Sequence, residues 1–317
     1  MTDDIAVSVR NLEKKFGDFT AVNRINFEVK RGEIFGFLGP NGAGKSTTIR
    51  MLCGIISPTS GSGRVGGFDI VKEQSKIKEH IGYMSQKFSL YNDLTVEENI
   101  NFYSGIYRIP KDRKKERFEA TVRTANLEGM ESRLTATLAG GWKQRLALGC
   151  ALIHKPRIIF LDEPTSGVDP ITRANFWGVI KELAAQGVTV FVTTHYMDEA
   201  ENCSRMVLIY RGTIIAAGTP GEMKTNEMKN DVLEITLADS QAWLERITKL
   251  DGVKEAALFG SNIHAVVYSS SRAIPAIKKF LKEQKAGDFT VNKILPSLED
   301  VFVSSIENYD KEEPKKN

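Results

Sequence analysis

Short apolar runs of strand length recur along the amino-terminal part of the chain. The first three are IAVSV from Ile5, INFEV from Ile25 and IFGFL from Ile34, and their patterns are typical of β-strands. The third run leads directly into a glycine-rich segment, and helical spacing follows from about Lys45 to Cys53. The order of strand, glycine-rich loop and helix predicts a loop that binds phosphate groups.

Residues 87–155 have a different pattern, which is helical. Thr95 and Glu98 have the spacing of a capping box ahead of the aromatic-rich segment INFYSGIY from Ile100. A charged helix is expected over about 112–126, and a third helix after it. We therefore predict a helical subdomain over about residues 87–155.

Strand patterns resume after this region. RIIFL from Arg157 and VTVFV from Val188 are apolar runs, and a helix is expected between them. That helix would begin at Asp169 and Pro170, because these residues are favoured at the N-cap and at the first helical position. Two further runs predict a closing hairpin, so residues 1–228 form the first predicted domain, of the α/β class.

Residues 229–307 form a second predicted domain. Strand and helix patterns follow one another in the order βαββαβ, which predicts a small α+β domain of the ferredoxin-like type. It contains no catalytic constellation, and we expect a regulatory or dimerisation role for it. Residues 308–317, NYDKEEPKKN, are polar and charged and are expected to be a disordered tail.

The composition limits the possible partners and location. The 317 residues are 41% hydrophobic and 26% charged, as in a globular protein, and the net charge of +3 is too small to suggest nucleic acid as a partner. No apolar run approaches the length needed to cross a bilayer, and the acidic amino terminus lacks a signal core. Cys53, Cys150 and Cys203 lack metal-ligand spacing and are typical of buried thiols. We predict a cytoplasmic protein; if it works at a membrane, another chain must hold it there.

The glycine-rich segment carries the clearest chemistry. Gly39, Gly42 and Gly44 allow a tight turn in which backbone N–H groups face a β-phosphate. Lys45 places a positive charge between β- and γ-phosphates, and the Ser46 hydroxyl is suited to ligate Mg²⁺. The predicted ATP-binding segment consists of Gly39, Pro40, Asn41, Gly42, Ala43, Gly44, Lys45, Ser46 and Thr47.

Three further motifs accompany this loop: LAGGWKQRL from Leu138, RIIFLDEP from Arg157 and TTH from Thr193. Gln86 lies between the loop and the first of them. Together these motifs resemble the nucleotide-binding subunit of an ABC transporter over roughly the first 225 residues, which implies a P-loop NTPase fold. One position departs from the family, because Ala139 stands where a serine is usual.

The resemblance implies a catalytic site at the ends of the predicted strands. Asp162 would hold Mg²⁺ through water, and Glu163 would be the general base for the attacking water. His195 would hydrogen-bond the γ-phosphate, and Gln86 would report the presence of Mg²⁺ and water to the helical subdomain. The implied metal set is Ser46, Gln86 and Asp162. The alternative for Asp162 and Glu163 is an acidic turn at a strand end. For His195 it is a structural role, and for Gln86 it is that of an ordinary glutamine in a loop.

The resemblance also implies residues that contact the adenine ring of ATP and residues that contact a second subunit. Phe16 is expected to stack on adenine, with Phe19 as its competitor and core burial as the alternative for either. Asp169, in the segment SGVD, would belong to a loop that crosses a dimer interface. The signature segment would face the γ-phosphate of ATP held by a second copy or a related subunit, head to tail. It consists of Ala139, Gly140, Gly141 and Trp142.

These residues predict an ATP-hydrolysing subunit of a bacterial ABC exporter, peripheral on the cytoplasmic face of the membrane. Its cofactors would be ATP and Mg²⁺, and its partner a separate permease. One alternative is a soluble ABC ATPase of translation or DNA repair, although a second nucleotide domain and zinc or coiled-coil insertions are missing from the pattern. The other is a slow regulatory subunit that binds ATP chiefly to assemble a complex, an idea that Ala139 supports.

Aromatic residues after the glutamine loop have two interpretations. They would either dock a coupling helix of the permease or pack within the helical subdomain. They are Phe88, Tyr91, Phe102, Tyr103 and Tyr107.

Overall fold

The computed structural model describes residues 4–87, 89–227 and 230–312. The chain divides into two compact units, Met1–Pro220 and Gly221–Asn317. The boundary predicted at Met228 lies outside the described residues, and the division falls ahead of it.

Strands and helices alternate through most of the first unit. Its strands are β1 (Ile5–Phe16), β2 (Phe19–Lys30), β3 (Ile34–Leu38), β4 (Ser60–Val65), β5 (Phe68–Asp69), β6 (Ile81–Met84), β7 (Ile158–Asp162), β8 (Thr189–Thr194), β9 (Arg205–Tyr210) and β10 (Thr213–Gly218). Its helices are α1 (Lys45–Leu52), α2 (Gln74–His80), α3 (Val96–Ile106), α4 (Lys114–Thr124), α5 (Gly140–Leu152), α6 (Pro170–Ala185) and α7 (Met197–Ala200). No helix among the described residues combines the length and the apolar character that a membrane span requires.

A six-stranded sheet forms the centre of the first unit. Its strand order is β10-β9-β3-β8-β7-β6, and every neighbouring pair is parallel except β9 and β10. β3, β7 and β8 are buried over their whole length, which is why they are continuous apolar runs in the sequence. Phe191 of β8 lies at the centre of an aromatic core, with ring centroids 5.3–6.0 Å from those of Phe27, Phe35, Phe37 and Phe160.

A second, four-stranded sheet has the order β2-β1-β4-β5. β4 and β5 were not predicted, because the β4 segment SGSGRV contains one apolar residue and its strand pairing with β1 is not visible in the pattern.

The helical subdomain has the elements that the sequence predicts. The capping box of α3 is confirmed, since Thr95 Oγ1 accepts a hydrogen bond from the Glu98 amide at 3.2 Å and Glu98 Oε2 accepts one from the Thr95 amide at 2.8 Å. The three helices α3, α4 and α5 share a small apolar core that includes Val96, Val122 and Leu146. This core holds the segment before α5 in place as well, through the buried side chain of Leu138.

The second unit begins with a short helix, α8 (Pro220–Glu222), whose first residue still belongs to the first unit, and a π-helical turn, Met223–Glu227. Its other elements are β11 (Asp231–Leu237), α9 (Ser240–Thr248), β12 (Val253–Phe259), β13 (Asn262–Val267), α10 (Ser270–Glu283), β14 (Phe289–Ile294) and α11 (Leu298–Glu312). From β11 to β14 the order is the predicted βαββαβ, and the strands form an antiparallel sheet, β12-β13-β11-β14. This sheet has its own apolar core, formed with α9 and α10.

The prediction of a disordered tail from Asn308 is wrong for residues 308–312, which continue α11 to Glu312. The helix begins on buried apolar residues, Leu298 and Val301, that lie upstream of the polar tail. Lys311 Nζ lies 3.3 Å from Glu307 Oε2, a pair with the spacing of one helical turn that stabilises the last turns. The composition of ten residues alone therefore does not indicate a helix that starts before them.

Candidate active site

Four of the predicted motifs follow the carboxyl ends of neighbouring strands. β3 leads into the loop at Gly39, β8 into His195 and β7 into Glu163, while Gln86 follows β6. These strands are parallel and adjacent in the order β3-β8-β7-β6, so the four segments meet at one edge of the sheet. In open parallel sheets this edge is where ligands bind.

Two glycines of the loop from Gly39 to Thr47 are required by close backbone approaches. A Cβ added to Gly39 would lie 2.2 Å from the carbonyl oxygen of Ile209, and one added to Gly44 would lie 2.4 Å from that of Ala21. Gly44 also has a φ of +109°, which other residues rarely adopt. The loop is thus wedged between β2 and β9, and α1 begins at Lys45, within the last three residues of this segment.

The Lys45 ammonium lies inside this loop. It donates hydrogen bonds to the carbonyl oxygens of Gly39 at 2.7 Å and Pro40 at 3.1 Å. It also lies 3.0 Å from Glu163 Oε1, in an ion pair whose two side chains are only 4% and 5% exposed. The carboxylate after β7 is therefore in direct contact with the phosphate loop.

Glu163 brings together groups from three strand ends. Besides Lys45, its carboxylate accepts a hydrogen bond from Gln86 Nε2 at 3.1 Å, and its Oε2 lies 3.2 Å from His195 Nδ1. Its backbone is in the left-handed region, with a φ of +48°, which is strained for a glutamate. The Glu163 amide is held there by hydrogen bonds to Thr193 Oγ1 at 2.9 Å and to the Thr193 carbonyl at 3.2 Å.

Asp162 is buried beside it and faces α1. Its Oδ1 accepts hydrogen bonds from Ser46 Oγ at 3.0 Å and from Thr193 Oγ1 at 2.8 Å. Burial raises the pKa of Asp162 above its ordinary value, and these two hydrogen bonds oppose that rise. Ser46 and Asp162, two of the three predicted metal residues, are thus in contact.

Thr193 has no role predicted from the sequence, yet its hydroxyl orients both carboxylates. The feature of the sequence that could have indicated this role is a polar residue at the end of the apolar run of β8. The reasoning also missed Glu199, which is 1% exposed and accepts a hydrogen bond from Thr165 Oγ1. Arg173 Nε lies 3.5 Å from Glu199 Oε1, and the Arg173 guanidinium lies 4.2 Å from the ring centroid of Tyr196. This network joins the loop after Glu163 to the residue after His195.

The signature segment forms the start of α5. Ala139 is the N-cap residue, and it makes no side-chain capping hydrogen bond. A Cβ added to Gly141 would lie 2.6 Å from Thr172 Cγ2, so the start of α5 packs closely on the start of α6. The Trp142 ring lies 5.1 Å from the guanidinium of Arg145.

Two side chains connect this region to the loop that follows β7 and to α6. Gln144 is fully buried, and its Nε2 donates a hydrogen bond to the carbonyl of Pro164, directly after Glu163. Asp169 caps α6 by accepting a hydrogen bond from the Thr172 amide at 3.0 Å, as its position before Pro170 predicts. Hydrogen bonds from Thr172 lower the pKa of Asp169.

The two candidate adenine-stacking residues lie on either side of the turn between β1 and β2. Phe16 is 52% exposed and Phe19 is 63% exposed, so the alternative of core burial is wrong for both. Lys14 Nζ lies 5.0 Å from the ring centroid of Phe16, which orders that ring.

The aromatic residues of the helical subdomain fall into two groups. Tyr107 stacks on His154 with ring centroids 3.7 Å apart, and the Tyr103 hydroxyl donates to the Ser89 carbonyl, so both pack within the subdomain. Tyr91 and Phe102 are 45% and 39% exposed and form an edge-to-face pair at 4.6 Å. Phe88 lies outside the described residues.

A phosphate loop that faces an aspartate–glutamate pair at the carboxyl edge of a parallel sheet defines the class of P-loop NTPases. The family described as ABC transporter matches residues 22–166. The chain is 49% identical over 248 residues to the probable multidrug ABC transporter ATP-binding protein YbhF of Escherichia coli (strain K12), covering 78% of this chain. It is 37% identical over 254 residues to the linearmycin resistance ATP-binding protein LnrL of Bacillus subtilis (strain 168), covering 80% of this chain and 82% of LnrL. The chain belongs to the family of ABC transporter ATP-binding proteins.

The match covers only 43% of the length of YbhF. Among solved structures, the chain resembles the dimeric ATP-binding cassette MJ0796 in a post-hydrolysis state bound to ADP and Pi, with a TM-score of 0.62 and 27% identity. That match covers 67% of this chain and 98% of the cassette. The predicted family and the predicted P-loop fold are both confirmed.

Proposed function

We propose that this chain hydrolyses ATP as the nucleotide-binding subunit of a bacterial exporter. The observation that carries the proposal is the position of Glu163, whose carboxylate contacts Lys45, Gln86 and His195 above the phosphate loop. A carboxylate held among a phosphate-binding lysine, an amide and an imidazole is suited to accept the proton of a water that attacks a γ-phosphate.

The residues around Asp162 fit a bound Mg²⁺. Ser46 Oγ and Asp162 Oδ1 lie 3.0 Å apart at the end of the phosphate loop, and both are oxygen donors, which Mg²⁺ prefers. Ser46 would ligate the ion, and Asp162 and Gln86 would hold its water molecules. When bound with ATP, the ion would neutralise charge on the β- and γ-phosphate oxygens.

Lys45 and Glu163 would separate when ATP binds. The Lys45 ammonium is paired with Glu163 Oε1 at 3.0 Å and with two loop carbonyls. Phosphate oxygens carry more charge than these partners, so they would draw Lys45 away from the carboxylate. Glu163 would then be free to act as the base, with Gln86 and His195 on either side of the reacting water.

A head-to-tail dimer would complete each site. The solved cassette MJ0796 is dimeric, as its description states. In the proposed dimer, the segment from Ala139 to Trp142 would face the γ-phosphate held by a second copy or a related subunit, with the backbone N–H groups of Gly140 and Gly141 as donors. The Trp142 amide already donates to the Ala139 carbonyl at 3.0 Å. Asp169 would lie in the loop that crosses the interface. ATP between the two subunits would hold them together, and hydrolysis would release them.

The proposed partner in the membrane is a separate permease, which would hold the chain at the cytoplasmic face. The exposed pair of Tyr91 and Phe102 on the helical subdomain supports this, because paired aromatic side chains at a surface are typical of interfaces. Adenine would stack on Phe16, whose ring is exposed and lies beside Lys14.

The test combines turnover and co-purification. We expect the purified chain to hydrolyse ATP only when Mg²⁺ is present, and a tagged chain to recover one integral membrane protein from detergent-solubilised membranes of its host. Turnover of the purified chain combined with recovery of no membrane protein would favour a soluble ABC ATPase instead. Binding of ATP without measurable turnover, with the permease present, would favour the regulatory subunit.

The second candidate function is that slow regulatory subunit, and Ala139 is the observation that favours it. A serine at this N-cap would offer a hydroxyl to the γ-phosphate of the opposing subunit, and alanine has none. The backbone N–H groups of Gly140 and Gly141 remain available, so we expect the native chain to be a slow but real ATPase.

We expect Ala139→Ser to raise steady-state ATP turnover several-fold or to tighten the ATP-bound dimer. A hydrogen bond to a charged group contributes about 1.5–3 kcal/mol, and water at the same place would reduce the gain. The same serine would also cap α5 and raise the free energy of unfolding by about 0.5–2 kcal/mol. Turnover, ATP-dependent dimerisation and urea unfolding measure these effects separately.

Ala139→Asp is the matched control, because aspartate caps the helix equally well but places a negative charge towards the phosphate. It should therefore raise the stability and lower the turnover. If Ala139→Ser neither raises the turnover rate nor strengthens ATP-dependent dimerisation, the site is already built around alanine. The missing hydroxyl would then not be the cause of slow turnover.

Removing residues from Gly221 onward should leave a folded unit that still binds ATP. All proposed nucleotide-binding residues lie in the first unit, and the second unit has a separate apolar core. We expect thermal unfolding to remain cooperative and the ATP affinity to be retained, with changes confined to dimerisation or regulation. A truncated protein that is folded by circular dichroism and yet binds no ATP would contradict this division of roles.

A further inference from the structure

A cavity of about 550 Å³ lies in the first unit, away from the phosphate loop. Its walls come from α4, the end of α5, the end of α6 and the start of β8. β7 starts directly after the lining residue Arg157, and the lining residue Thr189 is the first of β8. Both strands end at the sheet edge that carries Glu163 and His195. The cavity lies at their other end, so the length of β7, about 16 Å, separates it from Glu163.

Most of the cavity wall is apolar. The side chains that form this part are Ala120, Leu152, Ile153, Pro156, Leu183 and Val188. The volume lies within the range of about 300–1,000 Å³ that is usual for small-molecule sites. A wall of this kind favours a ligand with a hydrocarbon or aromatic body, because an inorganic ion would leave the apolar surface in contact with water.

The charged residues that line the cavity are all basic. They are Arg31, Arg117, Lys155 and Arg157, and no aspartate or glutamate lines it within the described part of the chain. Lys155 has a distant acidic partner, Glu116 at 3.8 Å, and both side chains are more than 60% exposed, so the pair offsets little of the charge. Arg117, Lys155 and Arg157 beside an apolar wall are suited to the head group of an anion.

One of these cations has an unsatisfied donor. Arg117 Nη1 is buried and has no hydrogen-bond partner in the parts of the chain that the structure describes. A buried donor without a partner is unfavourable, and more so when it is charged. Because this nitrogen is enclosed, a carboxylate or phosphate oxygen in the cavity would supply the missing acceptor once the guanidinium turns to present it.

We propose that this cavity binds an amphiphilic organic anion, with its apolar body against the wall and its carboxylate or phosphate at Arg117. Arg157 and Lys155 then contact the same head group from the loop between α5 and β7. The inference does not depend on ATP hydrolysis, and its test measures binding alone.

The test is isothermal titration calorimetry of the full chain, without nucleotide and below the micelle concentration of each probe. Dodecanoate and dodecyl phosphate should bind once per chain, and the two head groups distinguish a carboxylate ligand from a phosphate one. Inorganic phosphate and dodecyltrimethylammonium should bind at least about tenfold more weakly, since each lacks one half of the recognition. Equal binding of either one would overturn the proposal.

Variants locate the site. Arg117→Gln should weaken dodecanoate about tenfold or more, because it removes a hydrogen bond between charged groups. Lys115→Gln is the matched control, since it makes the same charge change on α4 at a residue that does not line the cavity. Ala120→Phe should occupy part of the cavity and reduce binding further. If Arg117→Gln leaves dodecanoate binding unchanged, or if Lys115→Gln weakens it equally, binding is a non-specific surface effect and the assignment is overturned.

Discussion

Replacing Glu163 with glutamine should slow ATP hydrolysis by about two to four orders of magnitude and leave ATP binding intact. Glutamine has the same shape, so its side chain can still hydrogen-bond Gln86, and its backbone N–H can still donate to Thr193. It cannot accept the proton of the attacking water. The substitution also removes the buried ion pair at 3.0 Å that holds Lys45, so the ammonium becomes available to phosphate. We therefore expect ATP affinity that is equal or higher, and a dimer that ATP traps.

Single-turnover hydrolysis, equilibrium ATP binding and size-exclusion chromatography with ATP measure these three effects. Glu182→Gln is the control, because it makes the same change at an exposed position of α6 and should alter none of them. Near-normal turnover in Glu163→Gln would mean that the base is misassigned. Loss of ATP binding would mean that the carboxylate has a structural role in the phosphate loop.

Thr193→Val is expected to reduce turnover about ten- to hundredfold, although Thr193 touches no reacting atom in the proposed mechanism. Its hydroxyl donates to Asp162 Oδ1 at 2.8 Å and accepts from the Glu163 amide at 2.9 Å. Valine preserves the shape and removes both bonds. The strained backbone of Glu163 then keeps only the weaker bond to the Thr193 carbonyl at 3.2 Å.

The pH dependence separates this positioning role from a general loss of stability. Burial already raises the pKa of Asp162, and the hydrogen bond from Thr193 lowers it. Removing that bond should raise the pKa further, so the ionised form, which would hold Mg²⁺ in the proposed site, is lost at a higher pH. The acidic limb of the turnover profile should therefore move upward in pH in Thr193→Val, and added Mg²⁺ should restore part of the activity.

Thr189→Val is the matched control for this variant. Thr189 is buried in the same strand, and its hydroxyl also accepts a backbone hydrogen bond, from the Gly32 amide at 3.0 Å, but it lies at the other end of β8. It should lower the stability by a similar amount and leave the pH profile in place. Equal effects of the two substitutions on the pH profile would show that Thr193 does not position the carboxylates.

Features that depend on a few neighbouring residues were predictable from the sequence. The caps at Thr95 and Asp169 form as the pattern indicates, because a side-chain oxygen reaches amides only two or three residues away. The buried strands β3, β7 and β8 were recognisable because both faces of a parallel strand are covered, so the run is continuously apolar.

Features that depend on packing were not predictable. The burial state of Phe16 and Phe19 could not be read from the pattern, since a phenylalanine beside a turn is equally compatible with a core and a surface. The last turns of α11 were missed because the buried residues that support them lie upstream of the polar segment. Thr193 looked like an ordinary polar residue at a strand end, because its two partners, Asp162 and Glu163, lie at the end of the neighbouring strand β7 and directly after it.

The sequence by itself determined which groups this protein brings to its chemistry. The phosphate loop, the carboxylate pair and the histidine each follow a strand whose length and end are set by local pattern. Only the tertiary structure decided how these groups meet. The strand order β3-β8-β7-β6 places Lys45, His195 and Gln86 around Glu163, and no spacing along the chain specifies that order. The physical reason is that strand order comes from pairing and burial between segments distant in sequence, whereas motif chemistry is local.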